Sequence, residues 1–188
     1  MGKRFWRAGN LLNPLPVVMV SVEYEGIKNI ITVAWCGTVC SDPAMLSISI
    51  RKERYSYNLI DKSNEFVVNL ATKDLCFATD YCGVTSGKNV DKFEHLGLHA
   101  IQSKYVKAPS ILESPVNIEC KVVNKLDLGS HTMFVAEILG VTVDEKYFDE
   151  NDRFMLEKAK LVSYSHGKYY ELGDALGKFG YSIEKKKK

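Results

Sequence analysis

The sequence predicts a mainly β fold, a β-barrel with short helical excursions. Many short runs of β-branched and aromatic residues are separated by turn signals, and few segments have helical spacing. The two longest strand-like runs, residues 116–128 and 132–143, flank a turn around Gly129, which indicates an antiparallel hairpin. Short, antiparallel strands with few helices are typical of a barrel.

The other elements follow in chain order from the same signals. Strands are expected at residues 17–24, 30–35, 44–50 and 65–71, with a turn-rich link at 37–43. Helices are expected at residues 55–62 and 73–82, the second ending at Gly83. Later elements are a small-residue loop at 83–89, a helical turn at 90–96, a weak strand at 98–105, a helical turn near Phe154, and a hairpin of residues 161–165 and 168–171.

Composition excludes several classes of function. The 188 residues suit one domain over residues 1–182, followed by a lysine-rich tail at 183–188 that we expect to be disordered. The net charge of +2 includes the four lysines of residues 185–188, so neither nucleic acid nor a membrane surface is expected as a partner. No apolar run approaches the ~18 residues of a membrane span. The five cysteines form no CxxC pair and no zinc pattern with the four histidines, which predicts reduced thiols, no metal site and a cytoplasmic location.

A cluster of cations and hydroxyls follows the strand at residues 44–50. Arg51, Lys52 and Arg54 come directly after it, and Ser56 follows. Fixed positive charge beside hydrogen-bond donors suits a bound anion, although a solvated charge run is the alternative interpretation. The loop at residues 82–89 departs from the P-loop pattern at its first and last positions, and no GxGxxG sequence follows a strand. The loop is therefore only a small-residue segment with exposed backbone donors and a following Lys92.

Several motifs, in their order and spacing, resemble the flavin reductase-like, FMN-binding split-barrel family, particularly its flavoredoxin branch. The similarity covers most of residues 13–182. It rests on NPLPVVMVS (13–21), NIITVAW (29–35), SDPAMLSISI (41–50), EFVVNL (65–70), CGVTSGKNVDKF (82–93), HTMFVAEIL (131–139) and LGKFGYS (176–182). The resemblance implies a Greek-key split barrel, a homodimer, and non-covalent FMN in a groove near the dimer interface.

The resemblance also implies which residues contact FMN. The isoalloxazine ring would lie along Asn29, Thr32, Ala34 and Trp35. The ribityl chain and phosphate would be held by Ser49, Arg51, Lys52, Arg54 and Ser56, completed by Cys82, Gly83, Ser86, Gly87 and Lys92. His131 would lie near the ring as a candidate proton donor, and Tyr164 would stack beside it. No other catalytic residue is expected.

Structural alternatives exist for the same residues. Strand alternation puts Asn29 and Trp35 on one face and Thr32 on the other, so the ring contacts would need both side chains and backbone. Without the resemblance, Trp35 would be predicted as a core tryptophan. Cys36 and Cys40 would be small core hydrophobes.

The function implied is that of an oxidoreductase that transfers electrons through FMN. The donor would be NAD(P)H or a small redox protein. One alternative is a flavin reductase that treats FMN as a diffusing substrate, and another is an electron carrier or flavin-storage protein with little NAD(P)H activity. A heme- or nucleotide-binding split barrel is less favoured because of the loop at residues 82–93.

Overall fold

The structure, a computed structural model, describes residues 2–183, and its regular elements are mainly strands. The strands are β1 (Leu15–Pro16), β2 (Val18–Tyr24), β3 (Ile27–Val33), β4 (Cys36–Ser41), β5 (Ala44–Arg51), β6 (Glu65–Leu70), β7 (Ala100–Ile101), β8 (Ser110–Ile111), β9 (Val116–Asp127), β10 (His131–Val143), β11 (Val162–Ser165) and β12 (Lys168–Glu171). The α-helices are α1 (Tyr55–Ser63), α2 (Cys76–Val84) and α3 (Lys92–Leu96). The mainly β prediction with helical excursions is confirmed. The predicted tail lies outside the described residues, apart from Ile183.

Seven strands form one antiparallel sheet in the order β3-β2-β6-β9-β10-β5-β4. The predicted hairpin of the two longest strands is β9 paired with β10, in which Thr132 lies opposite Asp127. The hairpin of β11 and β12 joins β1 in a separate small sheet. Strands β3 and β4 are the edges of the large sheet, so over residues 2–183 it does not close into a continuous barrel.

Strand β2 is buried on both faces because each face contacts a different core. Val18, Val20 and Val22 pack into the main core with Phe66 and Phe134, while Met19 packs into a second core beneath α2 and α3. Complete burial of such a side chain contributes about 1.5–3 kcal/mol, so the two cores hold the helices against the sheet. Because the sheet is packed on both faces, the residues at the ends of β3 and β5 have fixed positions.

The prediction of a turn-rich link at residues 37–43 is confirmed at Asp42 and Pro43, which form a turn, and is wrong for residues 37–41. Residues Cys36–Ser41 form β4, which pairs with β5 and has a bulge between Thr38 and Cys40. An edge strand with most of its side chains exposed lacks the apolar alternation that indicates a strand in a sequence. The preceding strand also begins earlier than predicted and ends at Val33, which leaves Trp35 on the connection between strands.

Three predicted elements differ in their bounds or type. Helix α2 begins later than expected and continues through Gly83. The weak strand at 98–105 is reduced to β7, because backbone N–H groups of Lys104 and Tyr105 bond instead to the buried Glu119 carboxylate. The helical turn expected near Phe154 is absent at that position, where Phe154 makes an isolated bridge to Phe148. Short 3₁₀ turns occupy Glu145–Tyr147 and Leu156–Ala159 instead.

The helices of the described chain are short. Over residues 2–183, none of them has the length and apolar character needed to cross a membrane.

Candidate functional site

The ends of strands β5 and β10 meet at the mouth of a large cleft. Arg51, the last residue of β5, lies opposite His131, the first residue of β10. Helix α1 begins just beyond, with Arg54 as its N-cap. The cleft has a volume of about 630 Å³, within the ordinary range for small-molecule sites. We call it the main cleft.

The main cleft collects most of the residues predicted to lie along a flavin ring. Sequence-predicted residues in its lining are Thr32, Ala34, Trp35, Ser49, Arg51, Arg54, Gly83, His131 and Tyr164. They come from β3, β5, α2, β10 and β11 and from the loops between these elements. The structure therefore brings together side chains that are far apart in the sequence, although their contact with a flavin stays a prediction.

Trp35 is not a core residue. Its side chain is 45% exposed, and its ring lies nearly parallel to that of His131, with ring centroids 6.1 Å apart. Ser130 and His131 are joined by a 2.9 Å hydrogen bond between the serine hydroxyl and Nδ1, which orients the imidazole. The half-exposed indole therefore offers an aromatic surface on the wall of the cleft.

A smaller pocket of about 120 Å³ lies next to the main cleft, with Ile31 and Arg54 lining both. We call it the cationic pocket. Its sequence-predicted residues are Asn29, Arg54, Ser56, Ser86, Gly87 and Lys92. The N-terminus of α1 opens onto it, since Tyr55 and Ser56 are both in the lining, and α1 has no side-chain cap and no acidic residue in its first turn. Positive charge, a hydroxyl and a helix N-terminus together suit a phosphate group.

Lys92 is the buried cation of this pocket. It is only 3% exposed, and its ammonium donates to the backbone carbonyls of Ile30 at 2.7 Å and Cys82 at 2.8 Å. Burial lowers the pKa of Lys92 below its ordinary value of 10.5. An ammonium has three protons, so one remains for a ligand in the pocket. Among residues 2–183 no carboxylate forms an ion pair with Lys92.

Asn29, Ser56 and Gly87 lie together in the wall of the cationic pocket. The Asn29 amide donates to the Ser56 hydroxyl oxygen at 2.7 Å, so the hydroxyl's own proton is available to a ligand. A Cβ atom at position 87 would lie 2.0 Å from Asn29 Oδ1, so only glycine fits there without displacing the amide. The glycine of this loop is therefore required by close packing against Asn29.

Two predicted residues do not line the main cleft or the cationic pocket. Lys52 is exposed and forms an ion pair with Asp127 at 2.5 Å. The Cys82 side chain is 1% exposed and packs in the second core, and only its carbonyl reaches Lys92. The family motif does not specify whether a side chain is exposed or buried. In the structure Lys52 is on the surface and the Cys82 side chain is in the core, so neither lines the site.

The main cleft also contains residues that the sequence analysis missed. Asp80 on α2 and Tyr169 on β12 line it, and the Tyr169 hydroxyl donates to the Asp80 carboxylate at 2.9 Å. Burial and this hydrogen bond raise the pKa of Tyr169. The two residues are 89 positions apart, and no local pattern in either segment signals their contact.

The cysteine side chains differ in how deeply they are buried. All five cysteines are free. Burial raises the pKa of Cys82 to about 11 and those of Cys36 and Cys120 to about 12. Cys36 packs against the main core as expected, but Cys40 lies on edge strand β4 and belongs to none of the core clusters of the described residues. Within residues 2–183, no group of three or more His, Cys, Asp or Glu side chains could hold a metal ion.

Comparison with known proteins identifies the family. The model of the flavin reductase-like domain matches residues 11–173. The structure of flavoredoxin from Desulfovibrio vulgaris (Miyazaki F) is 31% identical in sequence, covers 97% of this chain and all of that chain, and superposes with a TM-score of 0.90. Flavoredoxin from Methanosarcina acetivorans is 27% identical over the same shares, with a TM-score of 0.88. An uncharacterized protein of Archaeoglobus fulgidus is 39% identical over 142 residues, which is 74% of this chain and 80% of that one. The chain belongs to the flavin reductase-like, FMN-binding split-barrel family, in its flavoredoxin branch.

Proposed function

We propose that this protein binds FMN non-covalently and transfers electrons through it, from NAD(P)H or a small redox protein to an acceptor. The observation that carries the proposal is that the main cleft and the cationic pocket are adjacent and share Ile31 and Arg54 in their linings. FMN also has two distinct ends, a planar ring that would suit the main cleft and a phosphate that would suit the cationic pocket. The family assignment supports FMN as the cofactor.

The donor set fits the phosphate end of FMN. Lys92 and Arg54 supply positive charge, the Ser56 hydroxyl has a proton to donate, and the first turn of α1 adds unpaired backbone N–H groups. Charge-assisted hydrogen bonds from such groups are about twice as strong as neutral ones. The buried ammonium, which lacks a carboxylate partner in the described chain, would gain its counter-charge from the phosphate.

The main cleft fits the ring end. Trp35, His131 and Tyr164 present aromatic surface, and Ser49 adds a hydroxyl on the same wall. Gly83 permits close approach of α2 to β3, because a Cβ there would lie 3.3 Å from that of Thr32. Bound FMN would supply the redox chemistry, while these residues would orient the ring and limit its contact with water. His131 is the proposed proton donor near the ring.

An absorption spectrum of the purified protein tests this proposal, followed by anaerobic addition of NADH and then NADPH. A bound flavin band that bleaches with either nucleotide is the expected result. A band that persists until a chemical reductant is added would favour the electron-carrier or flavin-storage alternative. A protein that has no flavin band and takes up no added FMN would overturn the proposal.

The rate at which FMN dissociates distinguishes the proposed function from the remaining alternative, a flavin reductase. A flavin reductase that uses FMN as a substrate would lose it on gel filtration and oxidise NAD(P)H quickly when free FMN is supplied. Retention of FMN through gel filtration is expected here because the phosphate would contact a buried ammonium rather than a mobile surface lysine.

We also propose that the protein is a homodimer. Both terminal segments expose large apolar side chains, which include Phe5 and Trp6 at the beginning and Leu176 and Phe179 at the end. Extended apolar segments of this kind are typical of contacts with a partner chain. Sedimentation equilibrium at micromolar concentration should give the mass of two chains, and a single-chain mass would refute the dimer. The cytoplasmic location expected from the sequence stays a prediction.

A further inference from the structure

A second large cleft lies beside the main cleft and shares no lining residue with the cationic pocket. We call it the side cleft, and its volume is about 580 Å³. The residues that line both are Asn10, Ala34, Trp35, Ser49, Tyr164 and Gly167. The remaining wall comes from the N-terminal segment, including Leu12 and Leu15, and from Cys36 and Ser47. Trp35 therefore contributes to the wall of both spaces.

Charge decreases from one end of this system to the other. The cationic pocket has Lys92, Arg54 and Glu53 in its lining, and the main cleft has Arg51, Arg54 and Asp80. The lining of the side cleft, by contrast, includes no Lys, Arg, Asp or Glu. The Cys36 thiol there is uncharged at neutral pH, because burial raises its pKa to about 12. His166 is the one imidazole in this lining.

This lack of charge limits what the side cleft can bind. A nicotinamide dinucleotide has a pyrophosphate, whose transfer from water to an uncharged cleft would cost free energy without a compensating cation. An uncharged ring would instead find the surfaces of Trp35, Tyr164 and Leu15. The amides of Asn10 and Asn13 and the hydroxyls of Ser47 and Ser49 are among the polar groups that could orient a small ligand.

We infer that the side cleft binds the electron acceptor, and that the acceptor is an uncharged planar ring molecule of the quinone class. The inference rests on the proposed FMN function, since the main cleft holds the electron source. The reaction would balance without another reactant: two electrons and two protons would pass from the reduced cofactor to the quinone, which would become the hydroquinone and leave the cofactor oxidised. A charged donor such as NAD(P)H would approach from the cationic side of the main cleft.

The first test uses the FMN-loaded, oxidised protein and duroquinone, whose fully substituted ring does not add to thiols. Calorimetry and the perturbation of the flavin band report binding without turnover. We expect saturable binding of duroquinone. We also expect naphthalene-2-carboxamide to bind at least about tenfold more tightly than naphthalene-2-carboxylate, which has the same ring with one negative charge. Equal affinities for the amide and the carboxylate, or no binding of duroquinone, would overturn the inference.

A substitution in the side cleft tests where duroquinone binds. Ser47 lies on β5 opposite Gly37 and Val135 and lines the side cleft but not the main cleft. Ser47→Phe should narrow the side cleft, prevent duroquinone binding and leave the FMN spectrum unchanged. Val123→Phe, at an exposed position on β9, is the control and should change neither. Duroquinone binding that survives in a folded, FMN-loaded Ser47→Phe protein would place the ligand elsewhere and overturn the inference.

The two proposals fail in different ways. If the wild-type protein takes up no FMN, the proposed function itself fails. If FMN binds and bleaches with NAD(P)H but duroquinone does not bind, only the assignment of the side cleft fails.

Discussion

Replacement of Lys92 by methionine tests the phosphate end of the candidate site. Methionine keeps most of the length of the side chain and removes the charge. The lost contact is a hydrogen bond from a charged donor, which contributes about 1.5–3 kcal/mol, because the ammonium is 3% exposed and two of its protons are already bonded to carbonyls. At about 1.4 kcal/mol per tenfold change, the dissociation constant for FMN should rise roughly 10- to 150-fold.

In this experiment, riboflavin distinguishes the contribution of the phosphate to binding from that of the ring. It has the ring and the ribityl chain but no phosphate, so Lys92→Met should change its dissociation constant by less than about threefold. Quenching of flavin fluorescence at low salt measures both affinities. Lys88→Met is the matched control, because Lys88 lies in the loop that precedes α3 and is exposed. An equal loss of affinity for FMN and riboflavin, or no loss for either, would refute the placement of the phosphate beside Lys92.

The same variant predicts a pH dependence of stability in the absence of FMN. Burial lowers the pKa of Lys92 in the folded protein, so between that pKa and 10.5 the unfolded chain binds more protons. The free energy of unfolding of the wild type should therefore rise with pH across this window, relative to Lys92→Met. Urea titrations of both proteins over the alkaline range measure this difference. A difference that does not change with pH, or that falls as pH rises, would contradict the lowering of the Lys92 pKa by burial.

Three further predictions concern single positions. Gly87→Ala should weaken FMN binding about tenfold or more by displacing Asn29, measured by the same fluorescence titration, whereas Gly37→Ala, where a Cβ meets open space, should not. Trp35→Leu should shift the absorption band of bound FMN in a protein with an unchanged circular dichroism spectrum, and an identical band would remove Trp35 from the ring site. Cys82 should resist iodoacetamide at about pH 8 in the native protein and react in urea, because burial raises its pKa to about 11; peptide mapping that finds native Cys82 alkylated would contradict this.

The local elements could largely be predicted from the sequence because their signals are local. The alternation of Ser47 and Ser49 with apolar neighbours predicts a strand with one buried face, and β5 has that burial pattern. The turn at Gly129 predicts the hairpin of β9 and β10. Strand β4 was missed because an exposed edge strand is defined by backbone pairing with its neighbour rather than by a pattern of side chains.

By itself, the sequence determined the mainly β class, the order of most elements and, through several motifs in their spacing, the family. These depend on periodicity and on residue types that a chain carries locally. Only the tertiary structure decided which predicted residues meet. It brought Lys92 to the carbonyl of Ile30, 62 positions away, and exposed Trp35 on the cleft. It also directed Lys52 to Asp127. The physical reason is that periodicity specifies which face a side chain occupies, whereas packing between distant segments specifies what that face contacts.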